Sequence, residues 1–252
     1  MRTAHPESLL VVIPARYSSS RFPGKPLADL GGRTVLRRCY EQVTKVVPAS
    51  QVLVATEDSR IVDECQKHGI RVELTSPSCL TGTDRVAEVA MRHPAAWYVN
   101  VQGDEPFLDP EALVAMLQTL KDAAPSTQVI NAYSPLMAEA EFRSPSVPKV
   151  VVDQSGKLLY ISRAAIPTTK ALEFREATRQ IGMYAFRGSA LTLFAQQHTK
   201  TPLEAIEDIE ILRFLELGVE VRMIQVTEGG IAIDTPEDLV RARDLLLQQG
   251  IT

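Results

Sequence analysis

Cysteine is scarce in this chain, and the three present, Cys39, Cys65 and Cys79, form no Cys-x-x-Cys pair. An odd, unpaired set gives neither a zinc ribbon nor a disulfide framework. His5, His68, His93 and His198 are scattered, which argues against a multi-histidine metal site. The glycines form no Gly-x-Gly-x-x-Gly and no Gly-x-x-x-x-Gly-Lys-Ser/Thr, so a dinucleotide fingerprint and a Walker loop are both missing. No apolar run approaches the roughly 18–20 residues that span a bilayer. The start, Met1 to Ser8, is short and polar, unlike a secretory signal. A formal net charge of −4 lacks the basic excess of a general nucleic-acid binder. The expectation is a cytoplasmic protein that uses neither nucleic acid nor a membrane as its partner.

What is present is an ordinary globular composition, 45% hydrophobic and 23% charged, over 252 residues. That length suits one large α/β domain. Leu9 to Ile13 is continuously apolar and reads as a strand buried on both faces. Strands are expected at Gln51–Thr56, Arg71–Thr75 and Trp97–Val101. They alternate with helices at Val35–Val47, Ile61–His68, Thr83–Arg92 and Pro110–Lys121. This alternation predicts right-handed βαβ units and a parallel sheet with helices on both faces. After about Pro125 the pattern changes. Val129–Leu136, Val147–Val152, Leu158–Ser162, Gln180–Phe186 and Val219–Val226 read as strands, and Leu203–Leu217 and Pro236–Gln249 as helices. The polar stretch from Pro167 to Arg179 reads as a loop or short helix over the site.

Candidate chemistry lies where the predicted strands end. The first strand runs into a small-residue loop holding Arg16, Arg21 and Lys25. Three cations and several backbone N–H groups there suit a polyphosphate. The fourth strand ends in Gln102-Gly103-Asp104-Glu105-Pro106, and Gly103 permits close backbone approach. Asp104 could hold Mg²⁺ against phosphates, or serve only as a turn residue. Magnesium commonly takes one or two protein carboxylates, so a second, distant Asp is expected, and Asp234 is the best candidate. The alternative for Asp234 is a helix-entry residue bonding locally. Thr81-Gly82-Thr83-Asp84-Arg85 opens a helix; it either reads a base edge or is a plain cap.

Taken together, the segments ARYSSSRFPGKPL, TGTDR, VNVQGDEP, Lys149 in VPKVVVD, SRAAIP, IGMYAFR, PLEAIEDIE and IDTPEDL resemble 3-deoxy-manno-octulosonate (Kdo) cytidylyltransferases, in the same order, from about Leu9 to Leu246. The resemblance implies a nucleotidyltransferase-type, Rossmann-like three-layer α/β fold with a mainly parallel mixed sheet and a small dimerisation and acceptor subregion. It implies one domain over 1–252, with a nucleotide-binding half over about 1–125 and an acceptor-binding and dimerisation half over about 126–252. The implied enzyme is a homodimeric, Mg²⁺-dependent transferase that moves CMP from CTP to an acidic acceptor and releases pyrophosphate. By that likeness Arg16, Lys25, Asp104 and Asp234 are catalytic, and the two aspartates hold the metal. Ser20, Arg21, Thr83 and Arg85 join Arg16, Lys25 and Asp104 around the nucleotide. Gln102, Arg163, Gln180, Tyr184 and Glu210 lie on the acceptor side.

Departures from the family pattern cluster on that acceptor side. Gln180 stands where His is typical, and Ile211 where Gln is typical. Cys79-Leu80-Thr81-Gly82-Thr83 replaces a His-x-Ser-Gly-Thr run, and the 167–179 loop is short. Loss of polar contacts predicts that the acceptor is Kdo, a Kdo-like acid or a different small acid such as a phosphonate. A non-catalytic nucleotide-binding protein of the same fold is the reading from another class.

Overall fold

The first strand, β1 (Leu9–Pro14), is the hub of the computed structural model, which describes residues 8–19, 21–227 and 232–248. The chain continues through α1 (Val35–Thr44), β2 (Val52–Thr56), α2 (Ser59–Lys67), β3 (Val72–Leu74), α3 (Gly82–Arg92), β4 (Trp97–Val101) and α4 (Pro110–Lys121). The second half holds β5 (Val129–Pro135), α5 (Glu139–Arg143), β6 (Lys149–Val152), β7 (Leu158–Ser162) and β8 (Thr178–Arg187). It ends with α6 (Gly188–Ala195), α7 (Pro202–Glu207), α8 (Ile211–Glu216), β9 (Val221–Gln225) and α9 (Pro236–Gln248).

Strand order is β3-β2-β1-β4-β8-β5-β9, and β6 and β7 form an offshoot on β8. Pairing is parallel except at β8, which runs antiparallel to β4 and β5, and in the β6–β7 offshoot. The sheet is therefore mixed, as the resemblance implies. Alternate residues of β1 serve opposite faces. Val11 and Ile13 pack with Leu36, Val43, Leu113 and Met116 of α1 and α4. Leu10 and Val12 pack with Val86, Leu191, Phe194 and Phe214 of α3, α6 and α8. Each such side chain, once buried, contributes about 1.5–3 kcal/mol. The result is three layers, helices over both faces of one sheet.

Strand order reverses between β1, which leads to β2, and β4, which leads the other way. Such a switch point opens a crevice at the carboxyl ends of the two strands. Gly103, just past β4, donates from its N–H to the Pro14 carbonyl at 3.3 Å. A Cβ at Gly103 would lie 2.8 Å from that oxygen, so the close approach requires glycine. The last helix, α9, packs through Leu239, Ala242 and Leu246 on Val35 and Cys39 of α1. Its entry follows the contact of Ile233 N–H with the Asp104 carbonyl at 2.8 Å, which delivers Asp234 to the same crevice.

Three expectations change. The helix expected over Leu203–Leu217 is two helices, because Asp208 takes a left-handed conformation at φ 52° and ends α7. The 167–179 stretch is irregular up to β8, and none of residues 167–177 lines the crevice cavities. Phe174 instead packs on Phe142 of α5 at 5.1 Å, in a small satellite core. The helices α5 and α6 were not anticipated from the sequence. Among the described residues, no helix is long and apolar enough to cross a membrane.

Candidate active site

Two connected cavities, of about 450 and 850 Å³, open at the β1/β4 crevice. They share Arg21, Gln102, Asp104, Arg163, Glu210 and Asp234. The smaller also reaches Arg16, Lys25, Gly82 and Arg85. The larger reaches Gln180 and Tyr184. Every site residue expected from the sequence borders these cavities except Thr83, which sits one residue behind Gly82, and Ser20, which lies outside the described residues.

The loop after β1 is shaped by its own backbone. Gly24, at φ 74°, donates to the Tyr17 carbonyl at 2.8 Å and turns the chain into Lys25. Tyr17 N–H donates to Glu57 Oε1 at 3.0 Å, tying the loop to the end of β2. Lys25 Nζ then bridges Asp104 Oδ2 at 2.5 Å and Asp234 Oδ1 at 3.0 Å. Arg21 adds an ion pair to Asp234 Oδ1 at 3.2 Å. Burial alone would lower the Lys25 pKa; the fields and hydrogen bonds of Asp104 and Asp234 outweigh it and raise it. Arg16 stands exposed at the rim. Two carboxylates far apart in the sequence thus converge on one cation. An all-oxygen pair beside three basic residues fits a magnesium–polyphosphate complex, in which phosphate supplies further ligands.

Glu105, the next residue, is buried beside Gly182, where a Cβ would lie 2.1 Å from Glu105 Oε1. Burial first, then the charge of Asp104, push its pKa up to about 8. No role for Glu105 is expected from the sequence; its place behind an aspartate at a strand end is the available signal.

Arg85 was expected near a base. Its guanidinium is held instead by Glu57 Oε2 at 2.7 Å, Thr75 Oγ1 at 2.7 Å and the Ser76 carbonyl at 3.3 Å. It borders the cavity while clamping the ends of β2 and β3 to α3, and through Glu57 it joins the loop after β1. Thr83 and Gly82 open α3 behind the Thr81–Asp84 capping box. Glu210 accepts from Gly82 N–H at 3.0 Å, Thr83 N–H at 2.8 Å and Thr83 Oγ1 at 2.5 Å. A residue expected on the acceptor side therefore bonds the start of the nucleotide-side helix. Burial raises the Glu210 pKa despite those bonds.

Behind Glu210, Arg213 is fully buried. It is clamped by Glu204 at 2.6 and 2.7 Å and Asp84 at 3.1 Å, and lies over the Phe194 ring at 3.7 Å. This network joins α3 to α7 and α8. On the acceptor wall, Gln180 donates to Asn131 Oδ1 at 2.9 Å, while Asn131 donates to the Ile181 and Met183 carbonyls. Tyr184 is buried, and burial followed by Glu210 raises its pKa. Arg163 donates to the carbonyls of Glu207, Pro145 and Asp208 at 2.5, 2.9 and 3.0 Å. Ile211, expected to mark a lost polar contact, is 1% exposed in the core with Phe214 and borders neither cavity. Its apolar character follows from that packing and removes nothing from the acceptor pocket.

The cleft thus lies at a sheet switch point, lined by basic residues and two convergent aspartates. A protein-family model described as Cytidylyltransferase matches residues 10–222. The 3-deoxy-manno-octulosonate cytidylyltransferase of Syntrophotalea carbinolica is 42% identical over 243 residues, covering 93% of this chain and 96% of the relative. That of Escherichia coli is 36% identical over 242 residues, covering 95% and 96%. A solved CMP:2-keto-3-deoxy-manno-octonic acid synthetase complexed with CTP superposes with a TM-score of 0.88 at 35% identity, covering 96% of this chain and 99% of the other. The chain belongs to the 3-deoxy-manno-octulosonate cytidylyltransferase family, and it is a CTP-dependent enzyme.

Proposed function

We propose that the protein transfers CMP from CTP to Kdo or a closely Kdo-like acid, releasing pyrophosphate, with Mg²⁺ as its metal. The observation that carries this reading is the convergence of Lys25, Asp104 and Asp234 at the β1/β4 crevice. An acceptor hydroxyl oxygen attacks the α-phosphorus, a new P–O bond forms, and the bond to the β-phosphate oxygen breaks. This chemistry asks the protein for positioning and charge neutralisation rather than a covalent nucleophile. Asp104 and Asp234 would hold the metal, which supplies Lewis-acid stabilisation of phosphate charge. Arg16, Arg21 and Lys25 bind the triphosphate, and Lys25 and Arg16 take up charge developing on pyrophosphate. Gln102, Arg163, Gln180, Tyr184 and Glu210 surround the acid. Support for a single folding unit over 1–252 comes from the one sheet that takes strands from both halves. Support for a homodimer through the later strands comes from β7, which among the described residues pairs as a strand with β6 alone and exposes Leu159. A cytoplasmic setting suits a nucleotide-using biosynthetic enzyme.

A specific observation keeps the acceptor question open to test: Gln180 is held by Asn131, so its amide has a set place in the pocket. Pyrophosphate release with CTP and Mg²⁺ should be measured with Kdo, 8-amino-Kdo, sialic-type acids and small phosphonates. Efficient turnover of Kdo is the expected result. Silence with Kdo and turnover of another acid would move the assignment to that acid; CTP binding without release from any acid would leave a nucleotide-binding protein.

A further inference from the structure

Lys149 opens β6, between β7 and β8, and its side chain is fully buried. Its ammonium donates to the carbonyls of Ser144, Val147 and Arg163 at 2.8, 2.6 and 2.7 Å. An ammonium has three N–H groups, so none is left for a ligand. No carboxylate forms an ion pair with it among the described residues. Glu207 is the nearest anion acting on it, while burial and Arg163 both pull its pKa down. Removing a charge from water costs several kcal/mol when no counter-ion repays it. A methionine would fill similar space without that cost but would strand the three carbonyls, so the lysine is there for what it gathers rather than for packing.

The three gathered carbonyls belong to residues that line the larger cavity. Arg163 is pinned twice: Lys149 holds its carbonyl, and its own guanidinium donates to three other carbonyls. Carbonyl partners fix the two cations in place, and the carboxylates of Glu207 and Asp208 feel them from nearby without pairing with Lys149. Positive charge fixed behind a partly closed pocket acts over several ångströms when the intervening medium is protein.

We infer that Lys149 is a positioning residue for the acidic acceptor, setting the Ser144–Pro148 wall and Arg163 while supplying a fixed positive field behind the pocket. This rests on the cytidylyl-transfer reading above. It places the larger effect on the acceptor side, because Ser144 and Val147 border the larger cavity and not the smaller.

The test compares unmodified protein with Lys149→Met and Lys149→Arg, using steady-state pyrophosphate release with CTP and the acid that the unmodified protein turns over, and CTP binding without acceptor. The expected result for Lys149→Met is an acceptor KM raised by about tenfold or more, with the CTP KM and CTP affinity within about twofold of the starting values. Lys149→Arg keeps the charge and should recover part of the loss. Equal rises in both KM values, a fall in kcat alone, or no change would overturn the inference. If Lys149→Met does not fold, Lys149→Arg decides by the same split: a rise for the acceptor alone supports the inference, and a rise for both substrates overturns it. Unmodified protein that turns over no acid would overturn the function itself, a failure separate from an unsplit KM.

Discussion

Two lysines, Lys25 in the crevice and Lys149 behind the larger cavity, meet opposite surroundings. Lys25 faces two carboxylates and its pKa is raised; Lys149 faces three carbonyls and its pKa is lowered. The same contrast divides the site. At the crevice, Arg21 and Lys25 pair with aspartates, anions that can exchange partners when phosphates and a metal arrive. Along the acceptor wall, Lys149 and Arg163 hold backbone, which cannot exchange without deforming the fold. Ion pairs near the mouth are suited to chemistry, whereas carbonyl-held cations are suited to shape and to a standing field.

The largest expected effect breaks the crevice side. Asp104→Asn and Asp234→Asn should each lower turnover by about 10²–10³-fold, as loss of a transition-state charge partner does. Saturating CTP and acceptor should not restore it, and removing divalent metal with a chelator should abolish pyrophosphate release in the unmodified protein. Activity that survives chelation would end the metal assignment. Next, Lys25→Met should reduce kcat by about 10²-fold with a modest change in acceptor KM. That is the reverse of the split expected at Lys149, and matching splits at both lysines would erase the contrast.

Stability tests sharpen the same division. Arg213→Met leaves Glu204 buried and unpaired, so chemical denaturation should show a loss of about 3–5 kcal/mol. The double variant Arg213→Met, Glu204→Leu should recover much of it, because neither charge then stays buried alone. No recovery would mean that the network's hydrogen bonds to α3, rather than charge compensation, hold these helices. The smallest effect is at the entry to α9, where Asp238 accepts from the N–H groups of Asp234 and Thr235. Burial would raise its pKa, but those bonds, the Thr235 hydroxyl and Arg241 lower it. A carboxylate with a depressed folded pKa contributes stability above its unfolded value of about 3.9, and loses that contribution as pH falls through the folded value. Asp238→Asn should therefore cost about 1 kcal/mol near neutral pH and less in acid, measured by thermal melts across pH. An equal cost at every pH would show that the charge is not what caps this helix.

Legibility in the sequence followed how local the cause was. Trp97–Val101 and Pro110–Lys121 were read with their observed bounds, since buried strands and capped helices carry their signals within a few residues. That Arg16, Lys25, Asp104 and Asp234 meet at one crevice was legible because strand ends in open α/β sheets face a common edge. The break at Asp208 was not, because apolar spacing runs through it and a left-handed aspartate leaves no mark on that spacing. The resemblance puts Arg85 beside the nucleotide, and it does border the smaller cavity, but its partner Glu57 lies on another strand end and only the fold joins them. Lys149 stood inside a recognised motif with no visible role. Its partners are main-chain carbonyls, which a sequence of side chains does not advertise.

Gly103 carries a consequence for how such a protein can change over generations. Where two strand ends touch main chain to main chain, no larger residue can be tried, so the floor under the nucleotide is closed to variation. Gly182, on the larger cavity, is hemmed in as well, with Glu105 Oε1 2.1 Å from where a Cβ would sit, so each cavity has one position at which a larger side chain forces its surroundings to move.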